Sequence, residues 1–275
     1  MLTKHKRAFT TARIPGLKGD ELRVLEPRNH VVVICNHRLF QIPAVDAAGT
    51  KICSHVYERL LRQVWAEAHA RLPRVHHSVA LLTSEKRPVW AKWRQELERD
   101  NRAVLEAIDR ALLVLVLEDE EPSSHDDALR AIAGGDANNR WFDKGLNVIV
   151  FRNGLSGMNA EHAPAEATMH DAVFGGPVFS RMRELGPWSY PDSLVEPSGV
   201  LPVHELVFTK PPGIEAALHS AQIRWDADYA DLEVRALQFR EWGADWAKVL
   251  ENGFWLGLLF HAVFACRRRG CRLTR

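Results

Sequence analysis

The residues best suited to chemistry lie in the run Asn159-Ala160-Glu161-His162-Ala163-Pro164-Ala165-Glu166. Before it, Leu146 to Phe151 is an apolar, β-branched run that ends in Asn153-Gly154, a strong hairpin signal. After it, Pro164 suits the first turn of a helix, because its φ is already helical and its missing N–H would be unpaired there anyway. His162 therefore falls at the end of an element, where a side chain can face a cleft. Imidazole exchanges a proton near neutral pH, so it can strip an attacking hydroxyl and later protonate a leaving group. Glu166, four residues on, is placed to orient or polarise it. The same stretch admits a metal reading. His162, Glu166 and His170 follow at helical spacing with Asp171 beside them, and such a stripe can ligate zinc or iron. Against alignment of that stripe, Pro164 puts His162 ahead of the helix proper. Gly154-Leu155-Ser156-Gly157-Met158 lacks the last glycine of a nucleophile elbow, and neither G-x-G-x-x-G nor a P-loop occurs.

The elements that must position these residues alternate in type. His30-Val-Val-Val-Ile-Cys35 reads as a strand, Asn36-His37-Arg38 as a turn, and Leu39 to Val45 as the returning strand. Ser54 opens a helix with Val56, Leu60, Leu61, Val64 and Trp65 on one face. Val79 to Leu82 reads as a short buried strand. A long helix starts near Pro88 and carries Trp90, Trp93, Leu97, Val104, Leu105 and Ile108. Leu112 to Leu117 is a buried strand, and a short helix from Asp127 to Ala133 stops at Gly134-Gly135. Leu201 to Phe208 reads as a further strand, with a long helix from Gly213 to Val249. The alternation of strands and helices gives an α/β or α+β class.

Composition narrows the function. The 275 residues are nearly half apolar, enough for a sizeable core, and the net charge is +1. That balance argues against nucleic acid as a partner, since phosphate binding needs a net basic face. Nine tryptophans point first to packing. The four cysteines, Cys35, Cys53, Cys266 and Cys271, show neither zinc spacing nor a disulfide framework, so reduced thiols in an intracellular compartment are expected. The apolar run 253–265 is too short for a membrane span, which needs about 20 residues. Residues 1–13 are basic, but they run into a motif described next and are read as part of the domain.

Four segments, in order, resemble the carnitine/choline acyltransferase family. Phe9-Thr-Thr-Ala-Arg-Ile-Pro-Gly16 is similar to the family's F-x-T-T-R-I-P-G. Leu82-Thr-Ser-Glu-Lys-Arg-Pro-Val-Trp-Ala91 is similar to L-T-S-x-x-R-x-x-W-A. Asn139-Arg-Trp-Phe-Asp-Lys144 is the most specific of the four. Glu161-His-Ala-Pro-Ala-Glu166 is similar to the run around the family's catalytic histidine. The resemblance covers roughly residues 7 to 248. It implies an α/β chloramphenicol-acetyltransferase-like lobe, a mixed sheet flanked by helices, with His162 as general base, Glu166 as its support, and acyl-CoA and carnitine as substrates. No cofactor beyond coenzyme A as a substrate is implied. Lys248 corresponds to one of two coenzyme A-contacting lysines, whereas Ala244 replaces the other. Ala167 replaces a glycine. Mitochondrion or peroxisome is the expected compartment, ahead of cytosol.

The family's continuation beyond Lys248 does not follow. Residues 1–250 are thus expected to form a partial acyltransferase-like domain, and 251–275 an aberrant tail that is apolar, then arginine-rich. This leaves open a catalytically inactive fragment, or a binding or interaction module, as well as an enzyme.

Overall fold

The computed structural model describes residues 9, 11–26, 28–70, 77–165 and 201–236, with isolated positions between 180 and 199. The chain divides into two compact units, Met1–Arg235 and Ala236–Arg275, and the described residues belong almost wholly to the first.

The centre of this unit is a six-stranded mixed sheet in the order β7-β6-β5-β3-β4-β8. Strands β3 (His30–Cys35), β5 (Val114–Glu118) and β6 (Asn147–Phe151) run parallel. Strands β4 (Arg38–Pro43), β7 (Ser156–Asn159) and β8 (His204–Glu205) are antiparallel to their neighbours. A separate hairpin pairs β1 (Thr11–Ile14) with β2 (Glu21–Val24), two strands that the residue pattern does not signal.

Strand alternation sorts the apolar side chains onto two faces. Val32, Ile34, Val114, Val116, Ile149 and Phe151 face one core cluster. They pack there with Leu97, Leu105 and Ile108 of α2 (Arg87–Asp109) and Leu218 of α4 (Ile214–Ala230). Val31, Val33, Cys35, Phe40 and Ile42 face the other, under Val64 and Ala68 of α1 (Ser54–Ala70). Both faces are covered, as expected for β3, a continuous apolar run. The tight β3–β4 turn has Asn36 and His37 at φ 48° and 65°, matching the twist of the strands it joins. The short helix α3 (His125–Ala133) is capped by the Ser124 side chain and ends before Gly135, at φ 55°. Inside α2, Asn101 leaves helical geometry. Its side chain donates to Leu97 O and Thr209 O and accepts from Thr209 N, tying the helix to the chain before α4.

Three expected elements differ. Val79–Ser84 is a 3-10 helix, not a strand. The Ser78 side chain caps Ala80 N, and the Thr83 and Ser84 hydroxyls donate back to Ala80 O and Leu81 O, a local set of bonds that replaces a ladder. Within 201–208 only His204–Glu205 pairs, to Phe40 and Gln41. The helix after Gly213 stops at Ala230 rather than Val249. Asp226, Asp228 and Asp231 crowd its C-terminal end, where negative charge opposes the helix dipole. No described helix is long and apolar enough to cross a membrane.

Candidate active site

His162 lies in a turn over residues 162–164, directly after β7, and its side chain is exposed. The β6–β7 hairpin that delivers it turns at Gly154, whose φ of 84° favours glycine. Asn159 at the end of β7 donates through its side chain to Ile132 O, which fixes the strand end against α3. Pro164 falls within the turn. A helix beginning there, and with it Glu166, His170 and Lys248, lies outside the described residues. The metal stripe shares that position, because only His162 of its members is described. Among the described residues, no group of three or more His, Cys, Asp and Glu is close enough to hold a metal ion.

Glu161 holds the turn. Its Oε1 accepts from Ala163 N at 3.0 Å, so one carboxylate brackets His162 from both sides of the backbone. Its Oε2 accepts from Arg13 Nη1 at 2.9 Å. From Arg13 a line of ion pairs runs back into the fold. Arg13 Nε meets Asp20 Oδ2 at 2.6 Å, and Arg87 Nε meets the same oxygen at 2.8 Å. Arg87 Nη1 meets Asp143 Oδ1 at 2.7 Å, while the other Asp143 oxygen accepts from Trp90 Nε1 at 2.6 Å. Trp90 is fully buried. A backbone bond from Arg13 N to Asp143 O and a bridge between Ala12 and Lys144 lay β1 alongside the same segment.

The electrostatics follow from burial and partner. Burial pushes the Asp20 carboxyl up, but Arg87 and Arg13 outweigh it and hold its pKa below the ordinary carboxylate value. Burial would lower Arg13, and Glu161 and Asp20 raise it instead. At Asp143 the balance reverses. Burial wins over Arg87 and Trp90, and the pKa is raised.

The Asn139–Lys144 segment serves as a buried junction. Asn139 Nδ2 donates to Glu118 Oε2 at 3.0 Å, and its Oδ1 accepts from His37 N. Arg140 pairs with Glu118 in the interior. Phe142 N donates to Thr83 Oγ1, joining the junction to the 3-10 helix. Lys144 Nζ donates to Asp109 O at 2.8 Å, and burial lowers its pKa to about 8.

The sequence places Arg13, Arg87, Asp143 and Glu161 inside motifs without assigning them a task, and leaves Asp20 outside them. The available signal is charge type: two arginines and two acids at motif positions that an apolar pattern does not require. Two cavities, of about 380 and 370 Å³, open elsewhere on the described surface, and His162 lines neither.

One line of ion pairs, passing through Asp20, thus links residues of all four motif segments and ends at the His162 turn. Residues 2–252 match the model of the choline/carnitine O-acyltransferase family. The chain belongs to that family. It is 28% identical over 265 residues to rat carnitine O-acetyltransferase, covering 90% of this chain and 41% of that protein. Human peroxisomal carnitine O-octanoyltransferase is 28% identical over 257 residues, 88% of this chain and 41% of its own length. Mouse mitochondrial carnitine O-palmitoyltransferase 2 is 28% identical over 254 residues, with 90% and 37% covered. The chain therefore spans about two-fifths of the length of the curated relatives it matches. The mixed sheet flanked by helices fits this family.

Proposed function

We propose that the chain acts in the transfer of an acyl group between coenzyme A and carnitine, with His162 as general base, on a chloramphenicol-acetyltransferase-like lobe. One observation supports the reading: a single line of ion pairs links residues of all four family motifs and ends on a turn that exposes the His162 imidazole. In this mechanism the His162 imidazole takes the proton of the carnitine hydroxyl. The alkoxide oxygen attacks the thioester carbon, the C–S bond breaks, and the imidazolium returns the proton to the departing thiolate. The thioester is already activated, so no covalent enzyme intermediate and no metal are needed. Glu166 supports the histidine, and Lys248 contacts coenzyme A phosphate as a point charge. The compartments in the relatives' names favour mitochondrion or peroxisome for this chain as well.

The test is carnitine-dependent release of coenzyme A thiol from acetyl-CoA, measured on the chain and on a chimera in which residues 2–252 replace the matching part of the rat relative. His162→Ala is expected to lower the chimera's rate about 10²- to 10⁴-fold, the usual worth of a general base. A second reading rests on the limited coverage of the relatives: the chain alone is a non-catalytic binding or interaction module. Release by the chimera but not by the chain selects it. Full activity of the His162→Ala chimera removes the base assignment under either reading.

A further inference from the structure

We propose that Arg13 is a positioning residue for His162, acting through Glu161 on the backbone of the turn; this rests on the reading of His162 as the base. The geometry makes a strap. Arg13 uses two edges of its guanidinium, Nε on Asp20 and Nη1 on Glu161. Glu161 in turn divides its two oxygens, one on Arg13 and one on Ala163 N. His162 sits between the two residues so joined. At the far end, Asp20 is shared with Arg87, Arg87 reaches Asp143, and Asp143 is anchored on the indole of buried Trp90. The turn is thereby tied to the sheet's principal core through five alternating charges.

The line is a poor choice for stability alone. Asp20 Oδ1 and Arg87 Nη2 are buried with no hydrogen-bond partner among the described residues. Each such orphan destabilises the folded chain, because its lost hydration is not replaced. Apolar residues of similar volume would often hold the same elements together as well or better. What they could not do is fix one carboxylate at a set distance and angle beside the histidine. A planar guanidinium with donors on separate edges can serve Asp20 and Glu161 at once; an ammonium on one flexible stem cannot reproduce that fork. A base must be held within fractions of an ångström to act in an oriented complex, so a strap of this kind acts on rate rather than on folding.

The experiment is residue-resolved amide exchange on the chain and its Arg13→Met and Arg13→Lys variants, with coenzyme A release from the same variants of the chimera. In Arg13→Met the Ala163 amide should exchange at least ~10-fold faster while the amides of β5 and β6 keep their rates; Arg13→Lys should fall between. If Arg13→Met fails to fold, Glu161→Gln takes its place, removing the charge of the strap while Arg13 keeps Asp20. In the chimera, kcat should drop at least ~10-fold with KM for carnitine within about twofold, and Arg13→Met added to His162→Ala should lower the rate no further. An unchanged Ala163 amide overturns the inference. So does a normal kcat in Arg13→Met when His162→Ala is crippled. Full turnover by His162→Ala overturns the base reading instead, whatever the exchange data show.

Discussion

The sheet and the strap hold their residues by different physics. In the sheet, Val32, Val33, Ile34, Val114, Val116 and Ile149 are sealed on both faces by helices, and any apolar side chain of similar volume would serve. In the strap, Arg13, Asp20, Arg87, Asp143 and Glu161 form hydrogen bonds of 2.6–2.9 Å in which donor number and direction decide the fit. Area sets the first and angles set the second. The sheet supplies most of the stability, and the strap uses part of it to fix one turn.

The largest effect belongs to the core. Trp141, 1% exposed, stands edge-on to Trp90 with ring centroids 6.0 Å apart. Trp141→Ala should lower unfolding free energy by about 3–5 kcal/mol, read as a shift in urea midpoint. A loss below about 1 kcal/mol would mean that packing contributes little there.

Lys144 is a charge placed in the core. The folded-state pKa is about 8 against an ordinary value of 10.5. Between those pH values the unfolded chain holds more protons at this site, so its contribution to stability rises with pH across the window, by up to about 1.4 kcal/mol per unit. Cys35 and Tyr57, both pushed up to about 12 by burial, act in the opposite sense at higher pH. The pH-dependent difference between the natural chain and Lys144→Met therefore isolates the effect. Parallel stability curves from pH 7.5 to 9 would contradict it.

Arg87→Met tests the strap's inner half. It leaves Asp143, 3% exposed, with Trp90 alone, and should cost about 1–3 kcal/mol in chemical denaturation, less than the core substitution. A larger loss would make the strap a stabilising element in its own right. The smallest effect belongs to an exposed pair, Arg62 with Glu58 on α1. Arg62→Ala should change stability by less than about 0.5 kcal/mol, within the range of a thermal melt's repeatability.

The same contrast explains what was legible in the sequence. β3, β5, β6 and the Asn153-Gly154 hairpin announce themselves, because burial on both faces demands apolar runs and turns demand particular residues. Val79–Leu82 misleads because a short buried apolar run fits a strand or a helical turn equally, and the deciding bonds come from Ser78, Thr83 and Ser84. The β1–β2 hairpin is silent, since every β2 residue is exposed and its pattern carries no buried face. At the site, His162 can be found from its setting and from the family motif. Its tie to Arg13 cannot, because a contact across 148 residues leaves no periodicity in the chain.

The most direct check is turnover by the rat–chain chimera with one imidazole removed. Thiol release that falls by about two to four orders of magnitude on changing His162 to alanine, with the fold and coenzyme A binding intact, is the predicted result. Undiminished release would contradict the assignment.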